Sequence, residues 1–417
     1  MKIIRFVYEG ARMAVSAILS NKTRSILTMI GVATGIFAIT SILTMVNSLE
    51  NFISDNLSEM GNTNIMVYNW PFVVKGDWRD YLNRPKVNYY EYERLKDNLD
   101  EAVGVSFKVS SRAASVSADG QSIRNVQVNG ITPDEAIVFN FDFESGRYFT
   151  DTEFRYGSSV CILGYNVAEN LFPDRYAEGK YIRVGTKQLK VIGVLAKSGS
   201  EFSDEDDQVY VPYKVATRII NIRKRYVDKQ IWIKASSPET MAYVESETIG
   251  IVRAARGLRP REDNNFSINK AEQIMNEVNN ILGYLRTGGW IISIFSILIG
   301  GFSIGMIMYI SVRERTREIG IQKALGSTRS FILYQFLMES LFICLMGGLI
   351  GLIGVYGAGA IANTIIAQSD TNFSISVSLG NIGTAIGLSL IIGLLSGFVP
   401  SLIASTLDPV KAIRHTG

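Results

Sequence analysis

Four stretches of this chain are almost free of charge, and nothing else in the sequence restricts its fold as strongly. Between Arg24 and Glu50 lie 25 uncharged residues, SILTMIGVATGIFAITSILTMVNSL, and between Arg286 and Arg313 lie 26 more, TGGWIISIFSILIGGFSIGMIMYISV. From Ser330 to Ser369 the one charge is Glu339, and from Thr371 to Leu407 there is none. A helix needs about 20 apolar residues to cross about 30 Å of hydrocarbon, and it alone satisfies its backbone polar groups on the way. The sequence therefore predicts a membrane protein with four transmembrane α-helices, at 25–49, 287–312, 330–366 and 376–406. An apolar share of 47% over 417 residues agrees with this.

The first run is too long for the h-region of a signal peptide, and no small-x-small cleavage site follows it, so it reads as an uncleaved anchor. Ahead of it Ile3, Phe6, Val7, Ala11, Ala14 and Ile18 recur at helical spacing. Residues 1–24 are thus expected as a cytoplasmic interfacial helix, or as an amphipathic lead-in with no role of its own. Lys and Arg near the span ends fall in this segment, in the loop 313–329, and at Lys411 and Arg414 of the tail 407–417, while the short loop around Asp370 has none. Positive charge stays inside, which places both termini in the cytoplasm.

Residues 50–286 then lie outside. Strand-like alternation in NIMVYNW, SIRNVQVNGI, YIRVGTKQLKVIGVLA, DQVYVPY and KQIWIKAS alternates with helical stretches such as YYEYERLKDNL and SPETMAYVESETIGIVRAAR. The prediction is a large α+β extracytoplasmic domain between the first two spans. Apolar residues continue at helical spacing past the first run, at Leu49, Phe52, Ile53, Leu57 and Met60, and before the second, at Met275, Val278, Ile281, Leu282 and Leu285. These fit a packed stalk, and equally ordinary amphipathic helices at the base of the domain.

Catalytic chemistry is scarce. The one histidine, His415, is third from the C-terminus, so a histidine-based triad or zinc site cannot form outside. Cys161 and Cys344 lie in different compartments and cannot pair; Cys161 reads as a buried apolar residue. The acidic run EFSDEDDQ lacks the spacing and glycine of a calcium loop, and RIINIRKRY reads as a solvated helix face. The outer block is near-neutral, 30 basic against 33 acidic side chains, which gives no nucleic-acid face. No G-x-x-x-x-G-K-[ST] loop occurs in these residues, so no phosphate cradle, cofactor or metal site is expected here, and any ATP is bound by another polypeptide.

The loop between the second and third spans is longer than a tight connection needs. Its sequence RERTREIGIQKALG is rich in helix formers and ends at a glycine, with Ser327 or Thr328 available to cap the next helix. Ile319, Ile321, Ala324 and Leu325 stand amid Arg313, Glu314, Arg317, Glu318 and Lys323, an apolar knob with a charged rim suited to a docking partner. Anchoring of two helix ends to anionic lipid is the other reading. Pairs of glycines four apart, Gly31 and Gly35, Gly301 and Gly305, Gly347 and Gly351, Gly393 and Gly397, allow close helix approach.

The stretch REIGIQKALGSTRSFILYQFLMESLFICLMGGLIGLIGV, Arg317 to Val355, resembles the signature of MacB/FtsX-type ABC transporter permeases. So do the ending VPSLIASTLDPVKAIR, the first span LSNKTRSILTMIGVATGIFAITSI and, in the outer block, GRYF, CILGYNVAENLF and GKYIRVGTKQLKVIGVL. The likeness covers nearly the whole chain. It departs from the macrolide exporter MacB in one respect, since no ATPase domain precedes the first span, and so it resembles the permease half of a split system. The resemblance implies a dimer with a second copy or paralogue, each permease holding a cytoplasmic ATPase through Arg313, Glu314, Arg317, Glu318, Ile319, Gly320, Ile321, Lys323, Ala324, Leu325 and Gly326. It implies a stalk that passes motion outward, and a periplasmic adaptor as a further partner. Three functions follow as expectations: export of a hydrophobic compound or peptide, lipoprotein release, or a non-transporting mechanotransmitter that controls a cell-wall hydrolase. A membrane-anchored enzyme lacks a credible catalytic set.

Overall fold

The computed structural model describes residues 22–58, 60–173, 176–198, 205–222, 224, 226–369 and 373–413. The expected interfacial helix lies outside the described residues except for its last three, as do His415 and the first half of the acidic run. In chain order the elements are α1 (Lys22–Ser58), β1 (Asn64–Tyr68), α2 (Arg79–Leu82), α3 (Tyr89–Asn98), β2 (Ala102–Ala118) and β3 (Gln121–Ile131). Then follow α4 (Glu135–Val138), β4 (Phe143–Gly146), α5 (Asp151–Tyr156), β5 (Val160–Leu163), α6 (Tyr165–Leu171), β6 (Tyr181–Val184), β7 (Lys187–Leu195) and β8 (Gln208–Pro212). The remainder is α7 (Tyr213–Ile219), β9 (Asp228–Ala235), α8 (Met241–Ala255), β10 (Ser267–Asn269), α9 (Ala271–Glu314), α10 (Thr316–Ala324), α11 (Arg329–Ile366), α12 (Leu379–Thr406) and α13 (Pro409–Ile413).

The chain divides into two compact units, one of residues 1–52 and 279–417, the other of residues 53–278. Both boundaries fall inside continuous helices, α1 and α9.

The outer unit is built on a ten-stranded sheet in the order β10-β1-β9-β2-β3-β8-β5-β7-β4, with β6 paired to β2 and β7. Period-two alternation explains its two faces. Val209 and Val211 of β8 enter the larger core with Val105, Phe107 and Val109 of β2, while Tyr210 between the valines enters a second core with Ile162 and Phe154. The 17-residue β2 is the spine: its first half pairs with β9, Ala102 opposite Ala235, and its second half turns back on β3. That turn is Asp119-Gly120, both at positive φ, the two-residue hairpin connection whose twist matches the strands. Helix α3 starts in a capping box of Asn88 and Glu91, and Arg256 beyond α8 reaches the same Glu91 carboxylate at 3.1 Å, with both side chains buried. This pair ties α3 to α8 inside the unit, and removing either partner would strand a buried charge.

The other unit holds four helices long and apolar enough to cross a membrane, Met29–Leu57, Ala271–Glu314, Arg329–Ile366 and Leu379–Thr406. Its exposure pattern is inverted relative to a water-soluble protein: Phe302 is 78% and Leu395 73% exposed, whereas Ser340, Ser389 and Ser401 are buried. Hydrocarbon is the solvent that such a surface fits.

Glycine sets how closely these helices approach. A methyl group on Gly351 would stand 2.8 Å from the Ala33 carbonyl oxygen, and one on Gly347 3.0 Å from Cβ of Val32, so α11 lies directly on α1. Gly397 and Gly393 of α12 meet Ser340 and Leu341 of α11 in the same way, and Gly35 meets Ser296 of α9. A methyl group on Gly31 would stand 3.8 Å from Cα of Gly300. The expected pair Gly301 and Gly305 differs: it lines an apolar groove of about 570 Å³ between α9 and α12, with neighbours no nearer than 4.0 and 3.5 Å. One residue of helical rotation separates Gly300, which faces α1, from Gly301, which faces the groove.

Candidate coupling site

Helix α9 runs as far as Glu314 and breaks at a single residue, Arg315, before α10 begins at Thr316. The hydroxyl of Thr316 donates to the Val312 carbonyl at 3.0 Å and bridges the break. The Arg315 guanidinium turns inward to the Glu339 carboxylate at 3.5 Å, the one charge in the third span. After Ala324 the chain stops turning: Gly326 takes φ +100°, a left-handed conformation that glycine adopts without strain, and the amide of Ser327 donates to the Gln322 carbonyl at 3.1 Å. Thr328 then caps α11, its hydroxyl accepting from the Phe331 amide at 3.3 Å.

The short helix α10 has two distinct faces. Ile319 is buried in one core with Val32 and Ile36 of α1, Met308 of α9, Phe336 of α11 and Ala404 of α12. Gly320 lies against α13, where a methyl group would come within 2.8 Å of Cβ of Ala412. On the opposite face Ile321 is 44% and Leu325 83% exposed, flanked by exposed Arg313, Glu314, Arg317, Glu318, Ala324 and Gly326. The apolar knob expected from the sequence therefore splits: Ile319 belongs to the membrane unit, and Ile321 with Leu325 forms the uncovered part.

Lys323 is not the solvated rim charge that the sequence suggested. Its ammonium donates to the carbonyls of Ser405 at 2.5 Å and Leu407 at 2.7 Å, at the C-terminal end of α12, where a helix leaves carbonyls unpaired and carries partial negative charge. Desolvation, and secondarily the charge of Arg329, lower its pKa from the usual lysine value, and Asp408 acts in the opposite direction. Just beyond, the Asp408 carboxylate accepts from the Val410 amide at 2.9 Å and Pro409 opens α13. Arg315 and Lys323 thus strap α10 to α11 and α12 respectively.

The seven stalk candidates are unevenly placed. Leu57 and Leu282 are buried, Phe52, Ile53, Met275 and Val278 are half-buried, and Leu285 is 53% exposed. At the outer ends of the spans a polar cluster joins α1 to α12: Asn381, 4% exposed, donates to Thr44 and accepts from Asn47, both at 3.1 Å. The Ser48 hydroxyl accepts from the Ser376 amide at 3.1 Å. Asparagines inside otherwise apolar runs were the available signal for this cluster.

Elsewhere the chemistry is structural. Cys161 is fully buried and its thiol is pushed well above the usual value by desolvation. Asp206 accepts from the Ser198 amide and Asp207 from Asn166, so these carboxylates serve the local fold. Among the described residues no three His, Cys, Asp or Glu side chains are placed to hold a metal ion.

Four membrane helices, an α+β unit inserted between the first and second, and a short helix strapped beneath them define a membrane permease with a large outer domain. Residues 25–251 match the MacB-like periplasmic core domain and residues 290–409 the FtsX-like permease C-terminal domain, and the chain belongs to this family of ABC transporter permeases. The permease YknZ of Bacillus subtilis (strain 168), described as uncharacterized, is 29% identical over 408 residues, 98% of this chain and 99% of that one. The macrolide export ATP-binding/permease protein MacB of Neisseria gonorrhoeae is 29% identical over 412 residues, and the chain spans 61% of that protein's length. The crystal structure of the periplasmic region of MacB from Actinobacillus actinomycetemcomitans is similar over 55% of this chain and 98% of its own, at 18% identity and a TM-score of 0.44.

Proposed function

We propose that this chain is a permease subunit that couples ATP hydrolysis, carried out on a cytoplasmic ATPase docked to α10, to movement of the outer unit. That movement drives export of a hydrophobic compound or peptide, or release of a lipoprotein. The observation that carries this reading is the division of α10: one face is bolted into the helix bundle by Ile319, Arg315 and Lys323, and the other presents Ile321 and Leu325 uncovered. A lever needs both, a fixed side that transmits and a free side that receives. An exposed leucine flanked by charge also suits the buried centre and polar rim of a protein interface. In this arrangement both termini and α10 are cytoplasmic, residues 53–278 face outward from the inner membrane, and two permeases act as a dimer. The core-domain match favours export or release over control of a cell-wall hydrolase.

The test is capture. Affinity-purified chain from native membranes should retain a P-loop ATPase, and the 417-residue chain freed of it should hydrolyse no ATP. Hydrolysis by the pure chain, or the absence of any retained ATPase, would overturn the reading.

A further inference from the structure

The outer unit contains a cleft of about 630 Å³ that neither the coupling site nor the sheet core accounts for. Its size falls in the range of small-ligand sites, about 300 to 1,000 Å³. The floor is aromatic. Tyr89, at the start of α3, and Tyr213, at the start of α7, stack with ring centres 4.6 Å apart and planes 3° from parallel. Beneath them Phe107 packs edge-on against both rings, at 5.7 and 5.5 Å. Phe107 is buried, whereas the two tyrosines are half-buried, so the aromatic core continues upward to the open cleft. Among the described residues neither tyrosine hydroxyl has a hydrogen-bond partner, and burial holds both hydroxyls protonated by raising their pKa.

The walls differ in charge. One turn of α3 places Glu93 and Asp97 on the cleft, four residues apart and on one helix face, and neither carboxylate has a hydrogen bond or ion pair among the described residues. Lys96 between them is engaged by Asp134 at 3.0 Å. Arg155 of α5 also lines the cleft, its guanidinium in no ion pair among the described residues, and the Lys214 ammonium donates to the Arg155 carbonyl at 2.6 Å. Asp151, one turn before Arg155, adds a carboxylate to that wall. Unpaired charges of both signs around a stacked aromatic pair are poorly matched by a simple anion, a simple cation or a lipid tail. They match a molecule with an ammonium, a carboxylate and a ring between them.

We propose that this cleft binds a short zwitterionic peptide with an aromatic side chain. Its ammonium sits on the Glu93 and Asp97 wall, its carboxylate on Arg155, and its ring against the stacked pair Tyr89 and Tyr213. The site needs no nucleotide and no ATPase, so it can be tested apart from the coupling reading.

The probe is the tripeptide Gly-Trp-Gly with free termini, titrated calorimetrically into the full chain in detergent micelles, with empty micelles as blank. Saturable binding is expected, weakened about tenfold or more when the peptide is N-acetylated, C-amidated or replaced by Gly-Gly-Gly. Glu93→Gln with Asp97→Asn should bring the free peptide to the affinity of its N-acetylated form, and Arg155→Gln to that of its amide. These side chains are exposed, so the variants should fold, while Tyr213→Ala should lose binding altogether. No saturable heat with Gly-Trp-Gly, equal binding of the blocked peptides, or charge variants that bind as wild type would each overturn the proposal.

Discussion

Lys323→Met tests how α10 is held to the fourth span. The wild-type ammonium donates to two carbonyls at the end of α12, and methionine keeps the apolar stem of the side chain while removing both bonds. A hydrogen bond to a charged group contributes about 1.5 to 3 kcal/mol, and the helix-end interaction, which overlaps with it, about 0.3 to 1. Lys323 is half-buried, so solvent screens part of this, and about 2 kcal/mol is a fair sum for the strap. That corresponds to about a 30-fold rise in the population with α13 and the end of α12 released. The amide of Ala412, which donates to the Asp408 carbonyl at 2.9 Å, reports that opening through hydrogen exchange. Its exchange should quicken about 30-fold in Lys323→Met and further in Lys323→Glu, which turns a carboxylate toward the same two carbonyls. ATPase capture should persist in Lys323→Met, because Ile321 and Leu325 are untouched, while ATP-driven export falls. Wild-type exchange in both variants would refute the strap.

Gly351→Leu forces a side chain against the Ala33 carbonyl and should cost about 1 to 3 kcal/mol by overpacking, read as a lowered denaturation midpoint in mixed micelles, whereas Gly301→Ala on the open groove should be neutral. Wild-type behaviour of Gly351→Leu would refute the close approach of α11 to α1. In the outer unit Arg147 holds Glu153 in a two-bond ion pair and lowers its pKa to about 2, so this carboxylate stabilises the fold above its unfolded value near 4.5. That contribution should fade as pH falls from about 4.5 to about 2, and Glu153→Gln should lessen the acid sensitivity of urea unfolding; an unchanged acid limb would contradict the assignment. In intact cells a membrane-impermeant thiol reagent should label Ser236→Cys and spare Ser327→Cys, and equal labelling of the two would overturn the proposed orientation.

The four spans were legible because length and lack of charge are properties of the chain itself, independent of neighbours. So were strands such as DQVYVPY, where alternation of two valines with one tyrosine maps directly onto two cores. The spine strand β2 was not, because AVGVSFKVSSRAASVSA is mostly small and polar residues whose burial depends on β9 and β3 to either side. Within α10, residue types predicted a short helix but not its rotation. Ile319 and Ile321 are two residues apart, about 200° around a helix, so one must face away from the other, and nothing local says which. Lys323 was misread for a similar reason: its partners are carbonyls of residues 405 and 407, and backbone acceptors so distant in sequence leave no trace in it.

The central claim is that the uncovered face of α10 receives an ATPase. Ile321→Asp combined with Leu325→Asp places two carboxylates where the partner would bury them, and an unpaired buried charge costs several kcal/mol against about 1.4 for each tenfold in affinity. Both side chains are exposed, so insertion and folding should be preserved. At matched membrane expression, capture of the P-loop ATPase should fall by at least about tenfold and ATP-dependent export should fall with it. Capture at the wild-type level by the double variant would contradict the account and leave α10 as an anchor for lipid.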